Sequence, residues 1–181
     1  MTVWMTADTH FSHANIIKHC NRPFKSSWEM DNVLLENIND LVDTKDTFYI
    51  LGDFSFKAPS WKLEEYRRRI QCKEVHLILG NHDKESQLKP LFSTTSNLKT
   101  IYIDKQPIVL CHYAMRTWYR SHWGSYQLAG HSHGGLKEIL PDNKEGLLSL
   151  DVGVDVWDYK PVCYEQVVEV MNKKNWKPIR G

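Results

Sequence analysis

The sequence predicts a mixed α/β fold in which two sheets pack face to face with helices outside. Two patterns carry that expectation. Short apolar, β-rich runs alternate with helical stripes through the first half of the chain, whereas the second half is almost entirely strand-like runs. The composition adds a third: 181 residues are 41% hydrophobic and 25% charged, without low-complexity segments or repeats. A chain of that length buries a sizeable core, and one domain over residues 1–181 is expected.

Residues 2–7 (TVWMTA) are apolar and β-branched and run straight into Asp8, the pattern of a strand beginning almost at the first residue. The period then changes. Ser26 and Glu29 form a capping-box start, and Met30, Val33, Leu34, Ile38 and Leu41 recur at helical spacing, predicting a helix over residues 26–42. The runs at 47–51 (TFYIL) and 74–79 (EVHLIL) read as strands, each ended by a glycine, Gly52 and Gly80. Between them, a stretch begun by Ser60 sets Leu63, Tyr66 and Ile70 on one helical face. A short helix is expected around 84–92. After it the runs at 99–103, 107–113, 125–131, 147–153 and 162–170 all read as strands.

Charge and composition exclude several function classes. With 23 Lys and Arg against 22 Asp and Glu, the chain has no global footprint for nucleic acid or an anionic membrane, although a local patch can hide inside a balanced total. No apolar stretch approaches the roughly 18–20 residues that span a bilayer, and the N-terminus lacks a signal-peptide pattern. Cys20, Cys72, Cys111 and Cys163 are spread singly, as small buried hydrophobes in a reducing compartment would be, so a cytoplasmic location is expected. The nine histidines are the unusual feature, because imidazole both binds metals and moves protons near neutral pH.

Those histidines gather at the ends of apolar runs. Asp8 and His10, Asp53, Asn81 with His82, His112, and His131 with His133 each follow a predicted strand. Ligands of α/β sheets bind at the carboxyl ends of strands, where loops converge while the strands hold their bases rigid. A lone His after a strand is more often a hydrogen-bonded structural residue, and an isolated Gly-Asp is more often a turn. Five such ends in order form a constellation.

The ordered set D-x-H, GD, GNHD, H and GHSH resembles the signature of the calcineurin-like metallophosphoesterase superfamily, from Asp8 to His133. The segments ADTHFSHANIIKHCNRPF and HYAMRTW look further like small bacterial and bacteriophage-encoded members. The resemblance implies an αββα fold and two divalent metal ions: Asp8, His10 and His133 on the first, Asn81, His112 and His131 on the second, and Asp53 bridging both. Such mixed carboxylate, amide and imidazole donors suit manganese, taken as the first expectation, or iron, zinc or nickel, whereas calcium takes oxygen ligands. Two such ions can share a hydroxide that attacks a phosphate ester in line with its leaving group, and His82 is implied as the general acid. Where protein Ser/Thr phosphatases of the superfamily carry GDxxDRG, this chain has GDFSFKA, so that substrate class is demoted and no partner orienting His82 is visible.

The expected substrate is therefore a phosphate ester, with a nucleotide or nucleic-acid end favoured. His13, Asn15 and Arg22 follow the first motif, and Arg116 and Trp118 lie between His112 and His131. Guanidinium groups fork onto phosphate and aromatic faces stack bases. A metal-dependent nuclease is the alternative enzyme, and its expectation rests on the basic and aromatic 116–123 segment. A catalytically silent protein-interaction scaffold is the non-enzyme alternative, disfavoured because all seven candidate ligands and His82 are present. Asp151 and Asp155 could tie the site together from behind, but their spacing assigns them no role. His19 and His76 are read as structural.

Overall fold

The computed structural model describes residues 1–135 and 147–178. Two mixed sheets lie against each other. The first has the order β4-β3-β2-β1-β9, built from β1 (Val3–Thr6), β2 (Thr47–Leu51), β3 (Glu74–Ile78), β4 (Thr94–Ser96) and β9 (Val162–Cys163). The second has the order β5-β6-β7-β8, from β5 (Leu98–Ile103), β6 (Gln106–Cys111), β7 (Tyr126–Ala129) and β8 (Ser149–Asp151). Within the first sheet β1 to β4 are parallel and β9 runs antiparallel to β1; within the second, β6, β7 and β8 are parallel and β5 is the antiparallel edge.

Strand alternation divides the core in two. Phe48 and Ile50 of β2, with Val75 and Leu77 of β3, pack under Met30, Leu34 and Ile38 of α2 (Ser27–Leu41) and Leu63 and Tyr66 of α3 (Ser60–Arg69). Tyr49 and Leu51, one residue out of phase, face the second sheet and join Met5, Ile108, Leu110 and Leu128. Strand β2 is buried along its whole length, which is why its sequence is continuously apolar rather than alternating. Ser26 caps α2 by accepting from the Glu29 N–H at 3.1 Å; the Glu29 carboxylate reaches past Ser26 to the Lys25 N–H at 2.7 Å, so the expected box closes one residue early.

The second half corrects one expectation. Of residues 162–170 only Val162 and Cys163 pair with β1, and Tyr164–Asn172 is a helix, α5 (α1, Ala14–His19, and α4, Glu85–Leu88, are short). A run of β-branched residues concealed the helical period: Val167 and Met171 are buried one turn apart, Glu165 and Glu169 face outward, and the Gln166 side chain accepts from the Cys163 N–H at 3.0 Å. Strand β4, sequence TTS, is a polar edge strand without an apolar signal. Among the described residues no helix is long and apolar enough to cross a membrane.

Candidate metal centre

Both sheets present the carboxyl ends of their parallel strands to one edge, and loop-to-loop hydrogen bonds close that edge. The Asp8 N–H donates to Gly52 O at 3.0 Å and the His10 N–H to Asp53 O at 2.9 Å, joining the β1 and β2 loops. The Gly130 N–H donates to His112 O at 3.0 Å, joining the β6 and β7 loops. A parallel bridge between Ala7 and Gly153 stitches the end of β1 to the segment after β8, one sheet to the other. Residues separated by more than a hundred positions therefore meet.

Four groups of His, Cys and Asp side chains at ligand spacing result among the described residues, and two of them match the expected sets. Asp8, His10 and His133 each offer a ligand atom, all within 4.8 Å of one another, and Asp53, His112 and His131 form a second group of the same tightness. One oxygen, Asp53 Oδ2, lies between them, 3.4 Å from His10 Nε2 and 3.5 Å from His112 Nε2. Asn81 stands beside the second group, its Oδ1 3.2 Å from His112 Nε2. His82 reaches the same oxygen from solvent, with Nε2 at 3.9 Å and about a third of its side chain exposed.

The backbone is bent to achieve this. Asp8, His10, Asp53, His131 and His133 all have positive φ, between 45° and 66°, a region that Asp and His enter more readily than other side chains but still at a cost of about 1–2 kcal/mol each. Such strain persists where surrounding contacts over-determine it. Gly52, with φ of 90°, shows how tight the turn is: a Cβ there would lie 2.3 Å from His112 Nδ1. That Nδ1–H donates to Leu51 O at 2.8 Å and so aims Nε2 at Asp53 and Asn81. Gly52→Ala, which would push the His112 ring aside, is accordingly expected to lower divalent-cation affinity by about 10–100-fold in calorimetric titration.

A second layer of polar contacts holds the groups. His133 Nδ1–H donates to Asp155 Oδ2 at 2.7 Å, which turns Nε2 toward the first group. Asp155 in turn takes both arms of Arg22, from Nε and Nη2, at 2.8 Å each. Asp83 accepts from the N–H groups of Gly80, Asp53 and Phe54 at 2.9, 2.9 and 3.0 Å, locking the β3 loop to the β2 loop. Asp151 accepts from Ser132 Oγ at 2.5 Å and from the Gly134 N–H at 3.1 Å, fixing the His131–His133 turn. Sequence reasoning gave Asp83 no role; its place directly after Asn81 and His82 was the available signal.

The remaining expectations divide. His13 lies under the site, its Nδ1 3.2 Å from His10 Nδ1 and its ring stacked on Phe56 at 3.9 Å. Asn15 and Arg116 are exposed, on α1 and on the loop after β6. Arg22 is corrected: its side chain is fully buried, and besides gripping Asp155 it donates to Asp8 O at 2.8 Å and Thr9 O at 3.3 Å, leaving no face for a substrate phosphate. Trp118 is corrected as well, because it packs in the inter-sheet core at 7% exposure with its indole N–H donating to Ser125 O. The nuclease expectation loses Trp118 but keeps an aromatic and basic surface, since Tyr119 and Trp123 of the same segment are exposed with Arg120 5.4 and 5.9 Å from their rings. His76 is structural as expected, bonded to Thr94 and Glu74 within the first sheet.

The donors fit divalent cations on four counts. His10 Nε2 is buried without a hydrogen-bond partner, although it faces Asp53. Asp8 has no exposed surface, and burial pushes its carboxyl up to about 7, against the charge of His133; a bound cation would restore the carboxylate. Burial works against ionisation of Asp53 too, yet the hydrogen bond and charge of His112 hold it down to about 2, ready as an anionic ligand. Burial likewise pushes His10 down to about 3, keeping it a neutral donor.

A two-sheet α/β fold that gathers two adjoining His/Asp groups at its strand ends matches the metallophosphoesterase fold. The chain belongs to the calcineurin-like phosphoesterase family, whose model matches residues 1–147. It is 31% identical over 171 residues to the uncharacterized protein MJ1445 of Methanocaldococcus jannaschii, covering 94% of this chain and 92% of that one. Its fold is similar to that of AQ665, a protein of unknown function from Aquifex aeolicus, with a TM-score of 0.76, 25% identity, and coverage of 93% and 98% of the two chains. A looser likeness, with a TM-score of 0.46 and 23% identity, covers 72% of this chain and 61% of the nuclease MPE of Pseudomonas putida.

Proposed function

We propose that the protein is a dinuclear metal-dependent phosphoesterase that hydrolyses phosphodiesters or phosphomonoesters of a nucleotide or nucleic-acid end, with manganese as the activating ion. The observation that carries this reading is the position of Asp53 Oδ2 within 3.5 Å of an imidazole nitrogen from each group, the place of a shared anionic ligand. Asp8, His10 and His133 would hold one ion and Asn81, His112 and His131 the other. The pair would lower the pKa of an attacking water and neutralise phosphoryl charge. The four cysteines, all unpaired, suit a reducing cytoplasm.

The chain's own residues would do the rest. Asp155, Arg22 and Asp83 hold the donors in place, so little reorganisation remains for the moment of reaction. His82 is the proton donor to the leaving oxygen: about a third of its side chain is exposed at the edge of the site, and its backbone N–H is anchored on Asp53 Oδ1 at 2.9 Å. Phe56 meets the His82 ring edge-on at 5.0 Å and limits where it turns.

The test is hydrolysis of bis-p-nitrophenyl phosphate and p-nitrophenyl phosphate with added manganese. Absence of turnover with both, in protein shown to hold metal, would refute the reading. The role of His82 has a separate signature. His82→Ala is expected to slow release of an alcohol such as thymidine about 100-fold but release of p-nitrophenolate less than about tenfold, because the weaker base needs no proton. Equal losses would remove the general-acid assignment.

A further inference from the structure

We propose that the cavity beside His82 receives the leaving group of the ester and favours one that is a single nucleotide bearing its own phosphate. The inference rests on the phosphoesterase reading and adds where the leaving group is held and what charge it carries. The cavity has a volume of about 310 Å³ and is lined by the loop after β2, by α3 and α4, and by Asn81 and His82 of the site. An ester whose phosphorus faces the two His/Asp groups would therefore direct its departing oxygen past His82 into this space. Water adds at phosphorus, the bond to that oxygen breaks, and His82 returns a proton to it, so the group departs as an alcohol.

The walls specify what fits. Ala58, Leu63 and Leu88 are buried and form an apolar floor, whereas Lys57 and Lys84 are exposed and form a cationic rim. An apolar floor under a cationic rim matches a flat organic body with an anion at its edge, the chemistry of a nucleotide. Asp83 also borders the space, but its carboxylate is turned onto the backbone N–H groups of Gly80, Asp53 and Phe54. Among the described residues neither lysine is paired with a carboxylate; Lys57 lies 5.0 Å from the centroid of the Phe56 ring, which His13 backs from 3.9 Å. At the small end of ligand cavities, about 300–1,000 Å³, the space admits one nucleotide and no base pair.

The test compares the thymidine dinucleotide TpT with its 5′-phosphorylated and 3′-phosphorylated forms, pTpT and TpTp, in manganese. Wild type is expected to cleave the form carrying the extra phosphate on the departing nucleoside with kcat/KM about tenfold above TpT, the scale of one charge-assisted contact. In the K57Q/K84Q double variant, whose exposed substitutions preserve the fold, that preference is expected to fall within about twofold. Equal rates for all three dinucleotides in wild type, a preference that survives in the double variant, or turnover of bis-p-nitrophenyl phosphate alone would each overturn the proposal. Failure to hydrolyse any ester, bis-p-nitrophenyl phosphate included, would instead refute the underlying phosphoesterase reading and the proposal with it.

Discussion

Asp53→Asn is expected to lower manganese-supported hydrolysis of bis-p-nitrophenyl phosphate by about 10³-fold or more, equivalent to about 4 kcal/mol of lost transition-state stabilisation. The substitution keeps the shape of the side chain. Asp53 Oδ1 accepts from the His82 N–H at 2.9 Å, and an amide oxygen can accept that bond equally well. What disappears is the negative charge at Oδ2, the atom facing both His10 and His112. Burial works against that charge, and the hydrogen bond and charge of His112, the His82 N–H and His10 together hold the carboxyl down to about 2. A variant within about tenfold of wild type would mean that the shared oxygen is not the keystone of the site.

Arg22→Met is expected to lower the unfolding midpoint of the metal-free protein by about 10 °C. Breaking a buried pair from one side costs about 3–5 kcal/mol, and a chain of this size loses about 2–4 °C per kcal/mol. Removing Arg22 strands its buried partners. Asp155 would keep only His133 as a partner, and the carbonyls of Asp8 and Thr9 would lose a buried donor. Arg22→Lys should not rescue, because a single ammonium cannot fork onto both oxygens of Asp155 and also reach two carbonyls. Arg22→Met combined with Asp155→Leu should recover part of the loss, since replacing both partners removes the stranded charge. A fall of less than about 2 °C for Arg22→Met would contradict the clamp described here.

Arg22 also illustrates what a sequence conceals. Its neighbourhood, close behind Asp8 and His10, is legible; its direction is not, because only the folded chain brings Asp155 from 133 positions away. The strand-end residues were legible because each closes an apolar run, and parallel strands deliver such ends to one edge. Trp118 misleads for a related reason: a large aromatic in a basic segment reads as a stacking surface until Ser125 O accepts its indole N–H inside the core. Helix α5 was hidden by β-branched residues that suit either period, and only the burial of Val167 and Met171 on one side resolves it. The cavity beside His82 has no signature at all, since Lys57, Leu63 and Lys84 come from three separate segments with no common spacing.

On the proposed function, two adjoining donor groups joined by Asp53 form one dinuclear centre. Metal analysis with electron paramagnetic resonance of the manganese-reconstituted protein tests it most directly. The account predicts two manganese ions per chain with the spectrum of an exchange-coupled pair in wild type, and loss of that coupling in Asp53→Asn. One ion per chain, or two whose spectra show no coupling, would contradict it.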